Sequence, residues 1–178
     1  MCKQSGGTRN YANTPTYDKR KGEYGVLMSS GDYVKGHLYR SGGFYVIHKH
    51  HDKIVRKNND YSDIAAQKLA KKGYKVYLDD ERSFMQGDAK YDGHVYKVRV
   101  DFKTIKEAGT STMKKQIEKA SKQGAEVVVF YQRSKSITKE YVLSQLELFR
   151  TKSPKLAREK IKEVYVVGLS GGVHRHKI

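Results

Sequence analysis

The sequence predicts an α/β (α+β) fold in which a mixed central sheet is flanked by helices. Apolar and polar residues alternate with a period of two from His94 to Lys103, the signature of a strand with one buried face. Apolar residues recur at helical spacing in 60–72, 109–123 and 138–150. Helical and extended segments follow one another along the chain, and that order places helices against a single sheet.

Residues 1–22 are polar, rich in Gly, Asn and Thr, and read as a flexible lead-in. Within 23–58, Tyr24–Met28 and Gly43–His48 read as short strands. Ser29-Ser30-Gly31-Asp32 and Ser41-Gly42-Gly43 supply the turn residues, giving a small β-rich N-terminal subregion. The main domain is expected over 59–178. Its first helix runs from Asp60 to Lys72, with Ile64, Ala65, Lys68 and Leu69 on one side and Gly73 as the stop. Tyr74–Leu78 alternates as a strand, and Asp79–Gly87 is a polar connection. Asp88–Tyr91 reads as a short strand, joined through a hairpin at Asp92-Gly93 to the strand ending at Lys103. Gly109-Thr110-Ser111 opens a helix through about Gln123, with Met113, Ile117 and Ala120 at helical spacing. After Gly124, Ala125–Tyr131 has the continuous apolar run of a buried strand. Thr138–Arg150 is an amphipathic helix carrying Val142, Leu146 and Phe149. A basic stretch, Lys152–Lys162, leads to the strand Glu163–Gly168. Gly171-Gly172 turns the chain into a last strand, Val173–Ile178.

Composition narrows the function. The 178 residues carry a formal charge of +17 and a pI near 9.8, an excess of Lys and Arg that suits a polyanion. Fourteen Tyr add stacking surfaces suited to unpaired bases. A lysine-rich surface serving solubility alone is the plain alternative. The single Cys2 excludes an internal disulfide framework and a cysteine-based metal site. No apolar run approaches the ~20 residues of a membrane span, and no signal-peptide pattern opens the chain. A soluble protein suited to a reducing compartment is therefore expected, without a membrane partner.

The most specific chemical pattern is Gly87-Asp88 followed by Asp101-Phe102-Lys103. Residues two apart on a strand share a face, so Asp101 and Lys103 project together. A hairpin that brings Asp88 beside them gathers two carboxylates and an ammonium. Hard divalent cations, Mg2+ or Mn2+, take such oxygen donors: Asp88, Asp101 and the Phe102 backbone carbonyl are the candidate ligands. Lys103 is placed to orient a water or to stabilise charge developing on a phosphate. Asp92 is the rival carboxylate, but its position before Gly93 reads as that of a turn residue rather than a ligand.

Gly87-Asp88, Asp92-Gly93 and Asp101-Phe102-Lys103 together resemble the PD-(D/E)XK motif of restriction-endonuclease-like nucleases. Gly stands in place of the usual Pro before Asp88. The wider stretch, from Ala65-Ala66 and Leu69–Val76 to Ala120–Ala125, resembles the C-terminal tRNase domains of contact-dependent growth-inhibition toxins and related phage and mobile-element proteins. The resemblance covers about residues 60–170. It implies a restriction-endonuclease-like core, Asp88 and Asp101 as metal ligands, Lys103 as the catalytic lysine, and RNA, particularly tRNA, as substrate. It also implies an acidic immunity protein as partner and a cytoplasmic site of action, reached from another cell or carried in a phage particle. Many proteins of this fold add an acidic residue from the preceding helix; Asp63 and Gln67 are the candidates here.

Lys114, Lys115, Gln116 and Gln123 follow the motif and are candidates for contacting nucleic acid. His48 and His50 share a strand face and offer either nucleic-acid contact or the acid and base of a metal-independent ribonuclease, as His174 and His176 do less directly. Arg9, Tyr11, Tyr17, Lys19, Arg20 and Lys21 in the lead-in could clamp nucleic acid. Three function classes remain open at this point: a metal-dependent nuclease favouring RNA, a non-catalytic basic nucleic-acid-binding protein, and a histidine-based ribonuclease. The sequence leaves oligomeric state undetermined.

Overall fold

Among the described residues every strand pairs with its sequence neighbours, so the computed structural model contains an eight-stranded sheet in the order β1 to β8. It describes residues 15–51, 61–80 and 91–178. Along the chain lie α1 (Pro15–Ser29), β1 (Tyr33–Leu38), β2 (Phe44–His48), α2 (Ser62–Lys71), β3 (Lys75–Leu78), β4 (Gly93–Val95) and β5 (Val98–Ile105). Then follow α3 (Thr112–Lys122), β6 (Val127–Gln132), α4 (Lys139–Lys152), α5 (Lys155–Lys160), β7 (Glu163–Val167) and β8 (Val173–Lys177). Strands β2, β3, β5, β6 and β7 run parallel, and β1, β4 and β8 run against them. The expected mixed sheet flanked by helices is the observed architecture.

The sheet divides two apolar cores. On one face α2 lays Ala65, Ala66, Leu69 and Ala70 against Val76, Leu78, Val100, Phe102, Val129 and Val167. Its small residues let the helix lie close to the sheet. Gly73, at φ +101°, ends the helix in a conformation that a β-carbon would oppose. On the other face Met113, Ile117 and Ala120 of α3 and Val142, Leu146 and Phe149 of α4 pack on Val128, Phe130, Val164 and Val166. These are the residues whose helical spacing predicts both helices.

Four expectations change. Tyr24–Met28 is not a strand, and 15–22 is not a loose lead-in: both belong to α1. That helix has no fully buried residue and is held by polar anchors. Arg20 donates to the Gly42 and Gly73 carbonyls (3.0 and 2.8 Å), Glu23 accepts from Lys75 Nζ and Tyr77 Oη, and Tyr24 packs on Phe44. Without an apolar stripe the helix leaves no periodic signal, whereas Val26, 71% exposed, imitates a strand residue. β1 and β2 pair into the main sheet, so the β-rich subregion is continuous with it. The basic stretch 152–162 contains the short helix α5.

The fourth change concerns the hairpin. Asp92-Gly93 is not its turn. Gly93 begins β4 and pairs with both Leu78 and Val100, while the chain reverses at Tyr96-Lys97, with Tyr96 at φ +55°. Gly93 is required by close packing instead, since a β-carbon there would lie 1.8 Å from the Tyr77 carbonyl oxygen. The expected strand Asp88–Tyr91 falls mostly outside the described residues.

Candidate active site

Strand register assembles the site. Ile47, Leu78, Gly93 and Val100 are mutual neighbours across β2, β3, β4 and β5 and face the α2 core. The next residue on each strand, in the direction of the parallel strands, therefore points to the opposite face. Those residues are His48, Asp79, Asp92 and Asp101. Backbone bonds from Asp79 N to Asp92 O and from Asp92 N to Val100 O, both 3.0 Å, carry the ladder through this row. The row lies on the face that carries α1 over β1 and β2 and α3 over β5.

Asp101 is fully buried, and its carboxyl is within hydrogen-bond reach of the Asp92 carboxyl. Lys103, two residues along the same face, sets its ammonium 2.6 Å from Asp101 Oδ2 with its side chain 14% exposed. The same ammonium donates to Gln123 Oε1 at 3.1 Å from the end of α3. Asp92 lies on the adjacent strand, and its Oδ2 accepts the Phe102 amide at 2.6 Å. The N–H and C=O of a strand residue project to the same edge, so the Phe102 carbonyl also faces the strand of Asp92. Burial holds the Asp92 carboxyl well above the ordinary range. The charge and the close approach of the Asp101 carboxyl push the same way, against the Lys103 charge and the Phe102 amide. Two acidic groups thus compete for one ammonium.

A second acidic element adjoins them. His94, on β4 and on the same face as Asp92, pairs through Nδ1 with Asp79 Oδ2 and packs edge-on against Tyr91. His48 Nδ1 lies 4.0 Å from Asp80 Oδ2 and accepts the His50 amide at 3.2 Å. His51 is buried, its Nδ1 3.0 Å from the Asp79 carbonyl oxygen.

The structure therefore brings together Asp101, Phe102, Lys103 and Gln123. Asp88 lies outside the described residues. Lys114 turns away to Glu118 (2.7 Å), Lys115 is exposed, and Gln116 is half-buried on α3. His48 and His50 sit at the β2 end of the row, with ring centroids 5.5 Å apart. His174 and His176 are on β8, at the far edge of the sheet. Asp63 starts α2, whose core is on the opposite face. Sequence reasoning ranked Asp92 below Asp88 as the rival carboxylate, and it did not anticipate the contact of Asp92 with Asp101 and the Phe102 amide or the Asp79–His94 pair. The signal was present: an acidic residue beside a glycine is also what a close strand approach looks like, and Asp92, His94, Arg99 and Asp101 fall on one face once Tyr96-Lys97 is the turn.

Among the described residues no group of three or more His, Cys, Asp or Glu is placed to hold a metal ion. No described helix is long and apolar enough to cross a membrane. Even so, the donor set around Asp101 fits a hard cation. Asp101 and Asp92 present adjoining carboxyl oxygens with one ammonium beside them, and the repulsion between the two acids is what a divalent ion relieves.

Fold and site define the class: an α+β domain with a mixed eight-stranded sheet and a carboxylate–lysine cluster inside one face. Residues 88–173 match the family model described as the contact-dependent growth inhibition CdiA C-terminal domain. Among solved structures the chain is similar in fold to one described as a CdiA-CT/CdiI toxin and immunity complex from Burkholderia pseudomallei. The TM-score is 0.52 at 18% identity, covering 71% of this chain and 89% of that one. No curated protein matches the chain.

Proposed function

We propose that this chain is a toxin effector domain that hydrolyses phosphodiester bonds with a divalent cation, in RNA rather than DNA and most readily in tRNA-like substrates. The observation that carries the proposal is the buried Asp101 carboxylate. It is held beside Lys103 and Asp92, so two carboxyls share one ammonium. Burying the charge of the second carboxyl costs several kcal/mol, which a divalent cation would offset. The match over 88–173 and the toxin fold support the effector role, and the +17 charge supports a polyanionic substrate.

Asp101, Asp92 and the Phe102 carbonyl would hold Mg2+ or Mn2+, with Asp88 as a further donor. Such an ion supplies charge neutralisation and an acidified water. The protein's own groups do the rest. Lys103, steered between Asp101 and Gln123, directs its ammonium at the phosphate and offsets the negative charge that grows as water adds to phosphorus. The bond to the leaving oxygen then breaks, and the proton given up by the attacking water ends on that oxygen. Asp79 fixes His94 by its Nδ1, leaving Nε2 to meet substrate on the same face. An acidic immunity protein would complement the basic surface.

The test is incubation of the purified chain with tRNA, total RNA and duplex DNA, with Mg2+ or Mn2+ and then with EDTA. Metal-dependent RNA cleavage that Asp101→Ala abolishes supports the proposal. Cleavage that survives EDTA favours histidine chemistry at His48 and His50. Binding without cleavage favours a non-catalytic nucleic-acid-binding protein.

A further inference from the structure

The lysines of α2 are arranged differently from those scattered over the rest of the surface. Lys68, Lys71 and the C-cap Lys72 lie at i, i+3 and i+4, so they share one side of the helix end, flanking the buried stripe of Ala65, Ala66, Leu69 and Ala70. With Ile64, Gln67, Tyr39, Ser170 and Gly171 they line a groove of about 470 Å3, and no carboxylate is among the lining residues. Like charges at this spacing repel, and no ion pair joins them to an acid among the described residues. The groove continues as alternating cations and rings. Lys68 Nζ lies 6.0 Å from the Tyr131 ring centre, Tyr131 packs on Tyr61 at 6.0 Å, and the Arg133 guanidinium lies 4.1 Å from the Tyr61 ring centre. Arg133 follows β6 at the carboxyl edge of the parallel strands, where its amide donates to Ile105 O of β5.

From these observations we infer that the α2 groove and its Tyr131–Tyr61–Arg133 extension bind a single-stranded segment of nucleic acid, on the face of the sheet opposite Asp101. Ammonium groups with no acidic partner among the described residues receive successive phosphates, and ring faces beside cations receive unpaired bases. The band reaches the carboxyl edge of β6, so a strand lying in it can round that edge toward the Asp101 face. The inference rests on the proposed action on nucleic acid, and adds a site remote from the chemistry that fixes how the substrate lies.

The test uses the full chain carrying Asp101→Asn, so that nothing is cut, and a fluorescent 20-nucleotide oligo(U). Binding is measured across a range of salt concentrations. Replacing Lys68, Lys71 and Lys72 together by Gln is expected to lower the slope of log K against log salt by about 2, at about 0.7 for each phosphate no longer neutralised. The triple Lys→Arg variant, which keeps the charge, is expected to restore the slope and guards against a folding defect. Tyr61→Leu is expected to weaken oligo(U) binding while leaving the slope unchanged. Binding with the same slope in the triple Gln variant overturns the groove assignment. So does loss of polyglutamate binding alone, which would mark the groove as a surface for an acidic protein. Failure of the unmodified Asp101→Asn chain to bind any oligonucleotide at low salt overturns the nucleic-acid proposal itself.

Discussion

Asp92→Asn should stabilise the fold at neutral pH while eliminating cleavage. Asp92 is partly buried, its carboxyl is pushed up by burial and by Asp101, and its Oδ2 accepts the Phe102 amide. Asn keeps a carbonyl oxygen for that amide and removes the negative charge. A carboxyl whose folded value is raised binds its proton more tightly when folded. Ionising it costs stability above the folded value, and the cost disappears as pH falls toward the unfolded value of about 4. Replacing a strained buried charge by a neutral group is worth about 1–3 kcal/mol, which in a chain of this size is a rise in Tm of roughly 2–10 °C. Thermal unfolding in EDTA at pH 7.5 and at pH 4 measures it. The gain should be present at the higher pH and absent at the lower. Added Mg2+ should raise the Tm of the unmodified chain and narrow the gap. Equal destabilisation by Asp92→Asn at both pH values would refute the reasoning, because it would show no repulsion between Asp92 and Asp101.

Three further outcomes follow from particular interactions. Gln123→Ala removes the second anchor of Lys103 and should lower the cleavage rate about tenfold with oligonucleotide affinity unchanged, measured by single-turnover kinetics. Glu23→Gln should cost about 1 kcal/mol at pH 7, seen as a small loss of Tm. Burial alone would raise the Glu23 carboxyl, but Lys75 and Tyr77 outweigh it and hold it low. That stability is therefore present above about pH 4.5 and is lost as pH falls through the folded value, so the difference between variant and parent should shrink in acid. Phe149→Ala, emptying a fully buried ring site between α4 and the sheet, should cost about 3–5 kcal/mol in urea unfolding.

The helices that bury an apolar stripe, α2, α3 and α4, were legible in the sequence because burial forces the 3.6-residue period. α1 was illegible because Arg20 and Glu23 hold it through polar anchors, and such anchors leave no period. The Asp101-Phe102-Lys103 grouping was legible because two residues on one strand face need no long-range information. Asp92 needed the register of three strands. A turn at Asp92-Gly93 and a tight approach of Gly93 to Tyr77 look alike in sequence, and only the position of Tyr96-Lys97 separates them. The Asp79–His94 pair joins residues 15 positions apart across two strands, so no local spacing announces it.

Metal-dependent cleavage of tRNA by the purified chain, compared directly with Asp101→Ala, tests the central claim most directly. The account predicts cleavage with Mg2+ or Mn2+, none in EDTA, and none in the variant, which still binds the RNA. Full activity of Asp101→Ala, or undiminished cleavage in EDTA, would contradict it.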